Sequence, residues 1–111
     1  MNVEVIRTNG TREQHEITAK GPTARIRACR ELIGAELTDS VNLRDGRIMI
    51  VDDHGYETQV VEEPGHITLQ ATRALLPLNA TATRMYHAVC RAGTTHAIVG
   101  DVVVCYDEDF I

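Results

Sequence analysis

Residues 97–106, Ala-Ile-Val-Gly-Asp-Val-Val-Val-Cys-Tyr, constrain this chain more than any other stretch. The run is nearly all apolar, too short to span a membrane, and lacks the alternation of a half-solvated strand. It therefore reads as a strand at the centre of a sheet. Gly100 inside it marks a bulge or a close approach of backbone. The residues before it read as a capped helix and a polar turn. Asn79 can accept an amide of the first helical turn, and Pro77 stops any earlier helix from running in. Ala82, Met85, Tyr86 and Val89 recur at helical spacing, so the last three are expected to anchor a helix over 80–92 that Gly93 ends.

Upstream, Val3 to Ile6 reads as a first strand, with Asn9-Gly10 turning into a second around Glu13 to Thr18. A helix over 23–33 follows, with Thr23 as its cap, Pro22 just outside, Ile26, Cys29 and Ile33 on one face, and Gly34 closing it. Leu37 to Leu43 alternates, Asp45-Gly46 is a hairpin turn, and Ile48 to Val51 is its return strand. After His54-Gly55, Tyr56 to Val61 and His66 to Gln70 form a further hairpin around Glu63-Pro64-Gly65. Ala71 to Leu76 is either a short helix or an extended crossing. The order of strands, helix, strands, helix and strand predicts one α+β domain over 1–111, with two helices packed on one face of a largely antiparallel sheet.

Three segments together resemble a known family. They are the amino-terminal strand with the helix ending Leu32-Ile33-Gly34, the strand-turn-strand from Val41 to Asp52, and the run from Leu78-Asn79 through Gly93-Thr94-Thr95-His96 to Val102. They are similar to small proteins of phages, plasmids and other mobile elements known only as a domain of unknown function, number three-eight-four-six of its series. The resemblance spans most of the chain and is weakest near 55–76, which it marks as a lineage-specific insertion. It implies a mobile-element setting and supplies no activity and no catalytic residues.

Composition narrows the function classes. Aromatics are 4% with no Trp, so the core is built from Val, Ile, Leu and Ala, and no stacking platform for single-stranded nucleic acid is available. A formal charge of −5 also disfavours nucleic-acid backbone as a partner. The acids are too dispersed for a nucleic-acid mimic, and clusters such as Asp107-Glu108-Asp109 read as solvated surface. No run suits a membrane span or a secretion signal, and three cysteines without framework spacing fit reduced thiols, so a cytoplasmic location is expected.

Polar chemistry converges in one place. Arg84, His87, Arg91, Thr94, Thr95 and His96 combine fixed charge, hydroxyls, imidazoles and turn amides, the groups that hold an anion. Helical spacing puts Thr83, Arg84, His87 and Arg91 on the arc opposite the apolar stripe, facing solvent or a partner. His87 and Cys90 could share a metal, but a structural site needs further ligands and none is evident, so no metal or other cofactor is expected. Cys90 lies near a helix C-terminus, whose dipole opposes a thiolate, so it makes a poor nucleophile. With the resemblance, the favoured reading is a non-enzymatic binding protein of a mobile element. Its partner would be an anionic small molecule such as a nucleotide-like signal, or a host protein, in counter-defence. One alternative is an enzyme acting on a phosphate ester through His87, His96 and Arg91, which requires a cavity where they meet. The other is a self-associating structural module, for which exposed apolar surface on Tyr56 to Leu76 would be the sign.

Overall fold

The computed structural model describes all 111 residues. In chain order the elements are β1 (Asn2–Ile6), β2 (Arg12–Glu16), α1 (Pro22–Leu32), β3 (Thr38–Asn42), β4 (Arg47–Asp52), β5 (Tyr56–Glu63), β6 (His66–Ala74), α2 (Ala80–His87) and β7 (Val102–Tyr106). A 3-10 turn, Asp107–Phe110, closes the chain. Five strands form an antiparallel sheet in the order β2-β1-β7-β4-β3, and β5 and β6 form a separate two-stranded sheet. The α+β class and the antiparallel sheet agree with the sequence reading. β7 sits in the middle, as its composition required, hydrogen-bonded to β1 on one side and β4 on the other. No helix is long and apolar enough to cross a membrane.

The two helices do not share a face of the sheet, which corrects the expected arrangement. Val103 and Cys105 point with Val3, Val5, Ile48 and Ile50 toward α1, where Cys29 is fully buried and Ile26 and Leu32 pack alongside. Val102 and Val104 point with Ile6 and Met49 the other way, toward Ala82, Met85 and Tyr86 of α2. The pleat sends successive side chains to opposite sides, so a strand apolar at every position needs a cover on both. Each helix provides one.

Local differences have identifiable causes. Gly21, not Thr23, precedes the first turn of α1, with Pro22 as its first residue, where a missing N–H costs nothing. Gly34, at φ 65, terminates it as expected. The Asp45-Gly46 turn has both residues at positive φ, 60 and 76, which matches the right-handed twist of the flanking strands. Residues 71–74 are extended, continuing β6. β7 begins at Val102 rather than Ala97. The preceding residues pair with the segment leading into α2, through Asn79 N–H to the Ile98 carbonyl (2.9 Å) and Gly100 N–H to the Pro77 carbonyl (2.8 Å). Gly100 holds φ 78, and a Cβ there would lie 2.8 Å from Leu76 Cδ1.

One arginine ties several elements together. Arg7, just past β1, bonds Glu13 through Nε and a terminal nitrogen (both 3.0 Å), Asp101 (3.0 Å) and the Leu32 carbonyl at the end of α1 (2.9 Å). The Arg7 guanidinium, with His15 adding to it, holds the Glu13 carboxyl down to about 2. A carboxyl depressed in the folded state adds stability above its ordinary pKa, and that contribution is lost as pH falls through the folded value. The stability difference between wild type and Glu13→Gln in urea titrations is therefore expected to be full above about pH 5 and to vanish toward pH 2. A difference independent of pH would show that this ion pair is not its source.

Candidate functional site

The polar corner predicted around α2 is built by the helix and by the segment that follows it. Asn79 caps α2 with its side-chain oxygen on Ala82 N–H (3.0 Å), so its amide nitrogen is left to donate elsewhere. It donates to the carbonyls of Ile6 (3.0 Å) and Gly100 (2.9 Å), and the residue is completely buried. α2 is thereby fastened to β1 and to the approach of β7. α2 ends at His87, not at 92. Its last turn tightens, with Val89 N–H on the Tyr86 carbonyl and Cys90 N–H on that of His87, while Arg44 takes the Ala88 carbonyl at 2.9 Å.

Two side chains expected to face outward instead grip the following segment. The Thr83 hydroxyl receives the Ile98 N–H (2.9 Å) and lies 3.2 Å from the Ile98 carbonyl. His87 Nε2 lies 2.6 Å from the His96 carbonyl. A carbonyl only accepts, so this ring carries its proton on Nε2. The Thr94 hydroxyl donates to the Arg91 carbonyl (2.8 Å), closing a turn that Gly93 completes at φ 89. Thr95 is exposed. The His96 ring lies tilted at 38° against Tyr56 (5.4 Å between centroids) and meets Tyr86 edge-on (6.2 Å). Tyr56 donates its hydroxyl to the Ala97 carbonyl (2.6 Å). The Tyr86 phenol is pushed above its ordinary value by its hydrogen bond with the Cys90 thiol and by burial.

Of the six predicted residues, the fold links His87 with His96 and Thr94 with Arg91, in each case through a backbone carbonyl. Arg84 and Arg91 are exposed and neither takes part in an ion pair. Arg44, on the Ala88 carbonyl, adds a third guanidinium without a carboxylate partner. It went unnoticed in the sequence because it lies far from α2 along the chain. A cleft of about 220 Å³ beside the corner takes in His96 and none of the other five, and its rim carries Asp39, Asp52 and Asp53. A larger groove of about 470 Å³ lies on the α1 side, floored by Ile26, Ile48, Ile50 and Phe110. Its rim of Thr, Ser and Asp includes no His, Cys, Lys or Arg. No three His, Cys, Asp or Glu side chains gather in a group that could hold a metal.

No family model, curated protein or solved structure matches this chain.

The segment from Tyr56 to Leu76, where exposed apolar surface was expected only under the self-association alternative, is largely a hairpin. β5 and β6 make an arm with no substantial packing on any other element. All nine residues of β6 are exposed. The register pairs Val60 with Leu69, Glu62 with Ile67 and Thr58 with Ala71 on one face, while Gln59, Gln70, Thr68, Glu63 and His66 occupy the other with Val61. Val60, Ile67 and Leu69 are 56%, 69% and 70% exposed. Overall extents of 48 × 27 × 26 Å are those of a small body carrying such an arm.

Proposed function

We propose that the protein is a small non-enzymatic binding protein whose contact element is the β5–β6 arm together with the polar corner at its foot. The observation that carries this reading is the exposed apolar face of the arm. A two-stranded hairpin is marginal in water on its own, and strands that alternate apolar and polar side chains are suited to burying one face against a partner. The corner supports binding over turnover. His87 is engaged with a backbone carbonyl, the Thr94 hydroxyl is engaged within its own turn, and the adjacent cleft takes in neither His87 nor Arg91. Arg84, Arg91 and Arg44 favour an acidic protein surface over an enclosed small anion. The resemblance to mobile-element proteins supports action in a host cytoplasm, as in counter-defence, and three free thiols suit that reducing setting.

A photoreactive residue placed at Ile67 tests this in cells that express the protein. It is expected to yield a discrete cross-linked protein band that the same residue at Lys20, on the body, does not. Equal or absent cross-linking at the two positions would overturn the reading.

A further inference from the structure

We infer that the outer edge of β3 is a docking site for an extended peptide segment of another protein, one that alternates apolar and basic side chains. The segment pairs with β3 as a further strand of the sheet. It lays its apolar side chains into the groove on the α1 side and sets its basic ones beside the aspartates on the other. No partner on the arm's apolar stripe is needed, so this site and the reading above stand or fall separately.

The edge is open. β3 is the last strand of the five-stranded sheet, and no element other than β4 packs substantially on it. The Asp53 N–H bonds the Leu37 carbonyl (3.0 Å) and the Leu43 N–H bonds that of Arg47 (2.9 Å), just beyond the two ends of the β3–β4 ladder. Such pairs recur at every second residue of an antiparallel ladder. Asp39 and Val41 therefore bond inward to β4, while Thr38, Ser40 and Asn42 turn their N–H and carbonyl groups outward. The Asp39 carboxylate, reaching the Ser40 N–H at 2.8 Å, agrees with that direction.

An edge in this state pairs with other chains unless charge, proline or a bulge guards it. β2, at the opposite edge of the sheet, carries Arg12, Glu13, His15 and Glu16. β3 has Asp39 as its single charge, no proline and an unbroken register with β4.

Both faces beside this edge are hollow. Thr38 and Ser40 project on the α1 side with Ile48 and Ile50, and their short side chains raise little wall between the edge and the groove of about 470 Å³. The floor of that groove, Ile26, Ile48, Ile50 and Phe110, suits apolar side chains. Asp39 and Val41 project the other way, and Asp39 stands on the rim of the cleft of about 220 Å³ that also carries Asp52 and Asp53. None of these three carboxylates takes part in an ion pair, and neither hollow is lined by Lys or Arg. Successive side chains of a strand point to opposite faces, so one added here serves the two hollows in turn. Its backbone bonds hold it, and the alternate pockets select it. The same carboxylates disfavour a second copy, whose own Asp39 would be brought to this edge.

Fluorescence anisotropy with a labelled heptapeptide of alternating leucine and lysine tests this. Saturable binding to wild type is expected, weakened about tenfold or more when glutamate replaces the lysines. Alternate residues of a paired strand face the neighbour, so N-methylation of the leucine amides and of the lysine amides should differ. One set abolishes binding and the other spares it. Ser40→Pro removes an outward N–H and leaves the β4 ladder intact, so it should weaken binding about tenfold or more with an unchanged circular dichroism spectrum. The methylated peptides act on the wild type and decide the matter even where Ser40→Pro fails to fold. Simple adsorption of a cation to an acidic protein would ignore both changes. Absence of binding, equal binding of the two methylated peptides, or full binding to folded Ser40→Pro overturns the site. A wild type that dimerises in sedimentation equilibrium, and becomes monomeric on Ser40→Pro, would put a second copy at the edge and overturn the choice of partner.

Discussion

Replacing Asn79 by alanine is expected to destabilise the fold by about 3–5 kcal/mol, more than any other single polar substitution in the chain. The loss has two sources. Removing the cap on Ala82 N–H costs about 1 kcal/mol. The larger source is the pair of carbonyls, Ile6 and Gly100, that Asn79 Nδ2 satisfies inside a fully buried site. Each would lose a buried donor, at roughly 1–2 kcal/mol apiece. Asn79→Asp separates the two sources. It keeps the capping oxygen and loses both donors, and it sets a carboxylate against two carbonyl oxygens. Burial and those oxygens raise its folded pKa, so its destabilisation should be full at neutral pH and relax as pH falls toward the ordinary carboxylate range. Urea midpoints at pH 7 and about pH 4 would show this. A cost under about 1 kcal/mol for Asn79→Ala would mean that only the helix cap matters.

Ile6→Ala is expected to cost about 3–4 kcal/mol, with Ile6→Val near 1. Ile6 is completely buried and packs with Met49, Val102 and Ala82 beneath α2, and its own carbonyl is one of the two that Asn79 holds. A cavity there cannot close by moving α2, because the helix is fastened to β1 at the same residue. Met85, Tyr86 and Val89, which the helical spacing singled out as the anchors of α2, are only half-buried, and their truncation should cost less. The anchor lies instead at Ala82 and Asn79, both fully buried in the first turn. Equal losses at Ile6 and Val89 in the same urea titration would refute this ranking.

The local devices were legible because each depends on residues adjacent in the chain. Asn79 caps α2 through an amide three residues on, Asp45-Gly46 supplies two positive φ angles in succession, and Gly34 leaves α1 in the left-handed region. The position of β7 was equally legible, since five residues apolar on both sides have no stable place at an edge. Periodicity, however, shows only that a side chain is buried. In β7 Val103 and Cys105 are as apolar as Val102 and Val104, so no residue type there records which helix covers which side.

That assignment is tertiary, made by the Asn79 bonds to Ile6 and Gly100, which join segments far apart in sequence. The corner divides in the same way. Thr83, His87 and Thr94 were visible as polar residues, but only the fold directs them onto the Ile98, His96 and Arg91 backbone and brings Arg44 to the end of α2. The arm marks the boundary between the two kinds of information. Its alternation of Ile67, Leu69 and Ala71 with polar neighbours was written in the chain. Whether that apolar face would meet the body of the same molecule or be left open depended on how the other elements packed around their own core.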